Sequence, residues 1–183
     1  MALAHAILVS LMDSLYTGYD LAKQFDSSVG FFWKASHQQI YHELAKLEAS
    51  GWVSAEIVPQ EGRPDKKLYQ VTELGEQQLI EWLKKPCELS PTKDELLVKL
   101  RAGYLIPLPE IMEELERHRQ IHQKKLSLFQ ELERRIASNP QKLPPNAKFR
   151  YLILRRGIHY ETDWLAWCDE VIQVLGNDKT NST

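Results

Sequence analysis

The sequence predicts a mainly α-helical protein with one small β-hairpin, and three observations carry that expectation. Apolar residues recur at three- and four-residue steps over most of the chain, the spacing of a helical face. One stretch, Trp52 to Val71, switches instead to strand formers around a loop of turn residues. The second half holds two long segments with heptad-like spacing joined by a proline-rich connection. A length of 183 residues allows one large domain or two small ones, and 43% hydrophobic content builds a core without staples.

The first helix is expected from Leu3 to about Leu15, with Leu3, Ile7, Leu8, Leu11 and Leu15 on one face. Gly18 then permits a turn, and Thr17 is positioned to N-cap a second short helix reaching Phe25 or Ser27. Ser28-Val29-Gly30 closes it. After the aromatic run Phe31-Phe32-Trp33, a third helix starts near Ser36, carries Ile40, Leu44 and Leu47 as its apolar stripe, and stops at Gly51. Trp52 to Val58 reads as a strand and Lys67 to Val71 as its partner, with a hairpin loop from Pro59 to Lys66 held by Gly62, Pro64 and Asp65. A fourth helix opens at Thr72 and is stopped by Pro86. Helices in this order around a hairpin spell a winged helix-turn-helix over residues 1–86. That architecture also serves purely for protein contacts, so the order of elements alone does not establish a nucleic-acid partner.

From Pro91 the character changes. A short helix from Lys93 to Tyr104 is followed by a break at Pro107 and Pro109. The long helix expected over Glu110 to Ala137 carries Ile111, Leu115, His118, His122, Lys125, Phe129, Leu132 and Ile136 as a seam. After Pro140, Pro144 and Pro145, a last helix from Ala147 to Leu175 continues through Leu152, Tyr160, Trp164, Trp167, Val171 and Val174. The result is an antiparallel, coiled-coil-like helical hairpin over residues 91–176, ahead of a polar tail, 177–183. One hairpin leaves apolar surface without an intramolecular partner, and a second copy of the chain is the economical cover. A homodimer is therefore expected, with Ile111, Leu115, His118, His122, Phe129, Leu132, Tyr160, Trp164, Trp167 and Val171 as its contacts. The aromatic rings have a second reading, as the lining of an effector pocket rather than dimer core.

Composition argues against several classes. Net charge is −2, and residues 1–86 hold eight Lys and Arg against eleven Asp and Glu, a balance of −3. Any duplex partner must therefore be met by a local positive face, with Glu43, Glu48, Glu56, Glu73 and Glu81 turned away from it. No apolar run approaches the roughly 18–20 residues that span a bilayer, and Met1 to Leu15 lacks a basic leader, so the cytoplasm is expected. Cys87 and Cys168 fit no metal spacing and read as thiols rather than a disulfide. His118 and His122 have metal-capable i, i+4 spacing, but Arg119 stands where a zinc hydrolase needs glutamate. With no phosphate loop and no nucleophile elbow either, no enzyme, cofactor or metal site is expected.

Candidate contacts to DNA gather in two places. The third helix begins with Ser36, His37, Gln38 and Gln39, polar side chains at the end that enters a major groove in helix-turn-helix proteins. Glutamine bonds adenine bidentately, and serine or histidine reaches phosphate or base edges. The competing reading makes Ser36 a plain N-cap and the glutamines solvated. Tyr41 points away from the apolar stripe, as a phosphate contact or a half-buried structural ring. His42 and Lys46 share one flank, and Lys34 precedes the helix. The second place is the hairpin tip, where Arg63, Lys66 and Lys67 surround a single acid, Asp65. Such a tip straddles phosphates or reaches the minor groove.

Gly18-Tyr19-Asp20-Leu21, Gln39-Ile40-Tyr41-His42-Glu43-Leu44, Leu47-Glu48, Gly51-Trp52, Gly62-Arg63-Pro64-Asp65-Lys66-Lys67 and Thr72-Glu73-Leu74-Gly75 together resemble the PadR family of transcriptional regulators. Phe32-Trp33-Lys34-Ala35-Ser36-His37-Gln38-Gln39 and the run from Pro59-Gln60-Glu61-Gly62 are most similar to its AphA-like branch of virulence-gene activators, which has a helical C-terminal domain. The resemblance covers most of residues 1–85 by motif and the rest by layout. It implies a dimeric regulator that binds double-stranded DNA, as activator or repressor, and allows a small aromatic effector at the dimer interface, as in some relatives.

Overall fold

The computed structural model describes residues 2–12, 14–27, 33–60, 62, 65–89, 93–136 and 139–176. Two compact units divide the chain, Met1–Ser90 and Pro91–Thr183. The expected helix stop at Ser28-Val29-Gly30, Phe31, Phe32, Arg63 and the tail 177–183 lie outside the described residues.

The first unit runs α1 (Ala2–Leu11), β1 (Tyr16–Thr17), α2 (Gly18–Ser27), α3 (His37–Ala49), β2 (Val53–Val58), β3 (Lys66–Val71) and α4 (Glu73–Leu83). Helix α1 ends one turn before the expected Leu15, which is half exposed. The hairpin also gains a third strand: Tyr16 pairs with Tyr69 and Thr17 with Leu68, so the antiparallel order is β1-β3-β2. Two residues are too few to show a strand period, which is why this segment reads as a simple break in the sequence. Ile7, Leu8, Leu21, Phe25, Ile40 and Leu44 are almost fully buried and pack with Leu47, Val53, Tyr69 and Leu79 as one core. His5 is buried with them, stacked on Trp82 with centroids 4.4 Å apart.

Glycine makes two close joints in this unit. Gly51 (φ 71°) lets α3 end in a Schellman turn, its amide donating to Glu48 O at 3.0 Å and that of Trp52 to Leu47 O at 2.9 Å. The first turn of α4 then lies against that turn: a Cβ at Gly75 would fall 2.0 Å from Trp52 O. Thr72 completes the joint. Its hydroxyl donates to Gly51 O at 2.6 Å and accepts from Gly75 N at 3.0 Å, capping α4.

The second unit consists of α5 (Glu95–Arg101), α6 (Leu108–Ile136) and α7 (Pro145–Gly176), with short 3-10 turns at Gly103–Leu105 and Pro140–Lys142. Pro109 does not break α6 but sits in its first turn, where a missing N–H costs nothing. Helices α6 and α7 pack along their length. Leu96, Ile111 and Leu115 gather Trp164, Trp167 and Val171, while Leu126, Phe129 and Ile158 gather Leu132, Leu154 and Leu165. Two positions of the expected seam are corrected. Leu126 takes the buried place assigned to Lys125, which is exposed, and Ile136 is 43% exposed. On α7 the buried residues are Ile158, Glu161 and Cys168, whereas Leu152, Tyr160 and Val174 are exposed.

Candidate nucleic-acid interface

Helix α3 turns Ile40, Leu44 and Leu47 into the core, and 3.6 residues per turn then send His37, Gln38, Tyr41 and His42 to its exposed side. Its N-terminus is built by a capping box. Gln39 N donates to Ser36 Oγ at 3.2 Å, and Ser36 N donates to Gln39 Oε1 at 2.8 Å. Of the four polar residues expected to read bases, Ser36 and Gln39 therefore serve the helix end itself. Gln38 lies beside them, exposed, with His37 in the first turn.

Tyr41 is 47% exposed, and its ring covers the first residue of α2: a Cβ at Gly18 would come within 2.4 Å of Tyr41 Cε1. The glycine thus lets the tyrosine seat α3 on α2, while its outer edge remains accessible. Helix α2 is opened by Thr17, whose hydroxyl accepts from Asp20 N at 3.0 Å and donates to the Asp20 carboxylate at 2.7 Å. Lys34 and His42 are exposed.

Two of the basic residues have acidic partners. Lys46 Nζ is 3.1 Å from Glu43 Oε2 on the same helix. Lys67 Nζ is 2.6 Å from Glu48 Oε2 and lies over the Tyr69 ring, 5.3 Å from its centroid. The hydrogen bond to Glu48 raises the Lys67 ammonium above its ordinary value. Lys66 is exposed and forms no ion pair among the described residues. At the hairpin tip, Asp65 Oδ1 accepts from Gln60 N at 3.2 Å and Gly62 adopts φ 70°. The acids of α3 are thus neutralised by lysines rather than simply turned away, which was not legible from charge counts.

The residues expected to contact a second copy are divided. Ile111, Leu115, His122 and Phe129 are buried within the α6–α7 hairpin of their own chain. His122 Nδ1 meets Glu161 Oε2 at 2.5 Å, and its ring stacks on Trp164 with centroids 4.2 Å apart. His118, Leu132, Trp164, Trp167 and Val171 are half-buried along the same packing, and Trp164 Nε1 donates to the Tyr160 hydroxyl at 3.1 Å. Exposed instead is a stripe along α7 formed by Phe149, Leu152, Ile153 and Tyr160, with Ile121 and Leu128 exposed on α6. Among the described residues no helix is long and apolar enough to cross a membrane, and no three His, Cys, Asp or Glu side chains converge as for a metal ion. Cys87 is exposed and Cys168 buried, both as free thiols.

Residues 7–81 match the transcriptional regulator PadR-like family, and residues 92–176 match the virulence activator alpha C-terminal family. A probable transcriptional regulator of Mycobacterium tuberculosis, Rv1176c, is 38% identical, with 96% of this chain and 98% of that protein covered. The negative transcriptional regulator PadR of Bacillus subtilis is 30% identical over 96% of this chain and 98% of its own. Its crystal structure with operator DNA superposes with a TM-score of 0.83 at 26% identity, covering 94% of this chain and 97% of that one. Its complex with p-coumaric acid gives 0.77 at 26% identity, covering 96% and 99%. The virulence activator AphA of Vibrio cholerae gives 0.76 at 33% identity, covering 96% and 98%. On fold, motifs and full-length similarity together, the chain belongs to the PadR-like family of transcriptional regulators.

Proposed function

We propose that this regulator binds duplex DNA sequence-specifically as a homodimer in the cytoplasm, acting by binding rather than catalysis. Residues 1–86 form the DNA-binding domain and 91–176 the dimerisation domain. The observation that carries the reading is the start of α3. A capping box holds the end of that helix, Gly18 and Tyr41 seat it on α2, and Gln38, His37 and His42 project from its exposed side. The likeness to PadR bound to operator DNA supports the same use of the helix in this chain. Gln38, His37 and His42 then face the major groove, with Lys34 on the flanking backbone. Lys66 and Arg63, the latter outside the described residues, carry the wing's charge. The stripe Phe149, Leu152, Ile153 and Tyr160 is the surface offered to the second copy.

Selection from random duplexes followed by sequencing tests the reading. A palindromic enriched site is expected, with half-sites separated by about one helical turn or a multiple of it; no enrichment at low salt would favour a winged-helix module that binds protein. Arg63→Ala is expected to weaken binding to every sequence and reduce the log–log salt slope by about one. The p-coumaric acid complex of B. subtilis PadR supports a flat aromatic effector for this chain as well. Saturable quenching of tryptophan fluorescence by p-coumaric acid is the corresponding measurement.

A further inference from the structure

Two lysines that are adjacent in sequence are separated by the strand. Residues 66 and 67 are neighbours on β3, so their side chains leave opposite faces of the sheet. Lys67 shares its face with Tyr69, which is buried in the core of the unit; Lys66 shares the other with Leu68 and Gln70. One phosphate strand therefore does not meet both lysines in the same way.

The partner of Lys67 is informative in itself. Glu48 lies in the last turn of α3, where the helix macrodipole is negative and disfavours a carboxylate. Lys46, the basic residue of that turn, pairs with Glu43, and Glu48 is met instead by Lys67 at 2.6 Å, from a strand 19 residues further along the chain. The pair is partly exposed, at 44% and 35% of the two side chains, and it is the ion pair that joins the wing to the helix among the described residues. A lysine engaged at that distance, over the Tyr69 ring, loses that contact if it swings out to a phosphate.

We infer that Lys67 is a positioning residue rather than a phosphate contact: with Glu48 it forms a strut that holds the wing against α3, and Lys66 on the opposite face carries charge to the DNA. The inference rests on the DNA-binding reading for its consequence, but the strut itself is measurable without DNA. In the full chain, Lys67→Met, Glu48→Gln and the exchanged pair Glu48→Lys with Lys67→Glu are compared on a random-sequence duplex across a salt series. Each single variant is expected to weaken binding about twofold to fivefold at an unchanged salt slope, as an exposed ion pair allows, and the exchanged pair to recover it. Hydrogen exchange of the β2 and β3 amides in the free protein is expected to quicken in both single variants and return in the exchanged pair. The strut is overturned if Lys67→Met lowers the slope by about one, if Glu48→Gln tightens binding, or if exchange is the same in all four proteins. A wild-type chain that ignores duplex DNA would remove the DNA-binding reading, and the exchange measurement would still decide the strut.

Discussion

Gln38 and Gln39 are chemically identical neighbours in different situations. The side chain of Gln39 accepts the Ser36 amide and closes the capping box, whereas Gln38 is held by no such bond and faces solvent. Gln39→Ala is therefore expected to cost stability, about 1 kcal/mol in urea unfolding, through loss of one half of the cap. Gln38→Ala should leave the unfolding midpoint within about 0.5 kcal/mol of wild type. If Gln38 bonds an adenine, it should instead relax preference at one operator position by about 1–3 kcal/mol, read on duplexes substituted singly. The opposite assignment of the two effects would place Gln39 on the bases. This distinction was present in the sequence, since Ser36-His37-Gln38-Gln39 has the spacing of a capping box, serine to glutamine at three residues. The alternative reading of Ser36 as an N-cap holds in the structure, and it extends to Gln39, because a helix end has its own unsatisfied amides to serve.

At the scale of elements, the joint between Gly51-Trp52 and Thr72-Gly75 shows what those four residues do together. Gly75→Ala drives a methyl to within 2.0 Å of a carbonyl oxygen in the adjoining turn, so the first turn of α4 has to move. A loss of about 1–3 kcal/mol is expected, outweighing the gain in helix propensity. Gly62→Ala makes a useful contrast. Its Cβ meets nothing, and only the left-handed backbone is penalised, by about 1 kcal/mol. Comparable denaturant midpoints for the two variants would show that α4 adjusts freely. On α6, Arg117 grips Glu114 through two bonds of 2.8 Å and holds its carboxyl down to about 2. A depressed carboxyl stabilises the fold above its ordinary value of 4.5, and that contribution is lost as pH falls toward 2. Carbon-13 titration of Glu114 should show this low midpoint, and Arg117→Ala should return it toward 4.5. Among the described residues, periodicity together with cap and stop signals identified every helix longer than one turn and both strands of the wing. It missed β1, which only the partner strand defines, and it took Lys125 for Leu126, since 122, 126 and 129 continue the face by four and then three residues where the seam alternates three and then four.

For the molecule as a whole, what remained illegible is which apolar faces the chain covers with its own helices. A seam of Ile111, Leu115, His122 and Phe129 looks the same in sequence whether its partner is α7 of the same chain or α6 of another. The fold assigns it to α7, where Glu161 meets the buried His122 and the Trp164 ring stacks on it. Left exposed are residues the seam does not use, and on α7 those at 149, 152, 153, 160 and 174 share one face at helical spacing. These two surfaces respond differently to substitution. Leu115→Ala empties a fully buried site and should destabilise the hairpin by about 2–5 kcal/mol whatever the oligomeric state. Leu152→Glu changes a side chain that is 60% exposed, so a single chain should tolerate it within about 0.5 kcal/mol. In a dimer sealed by this stripe, the same change buries one unpaired carboxylate from each copy at the seam and separates the copies. Sedimentation velocity is then expected to show a dimer for wild type and a monomer for Leu152→Glu, with far-ultraviolet circular dichroism unchanged between them. Duplex binding should fall more steeply for a palindromic site than for a half-site, because two linked readers lose their effective concentration advantage when they part. A dimer that survives Leu152→Glu would move the interface off α7 and onto the exposed face of α6 around Ile121 and Leu128.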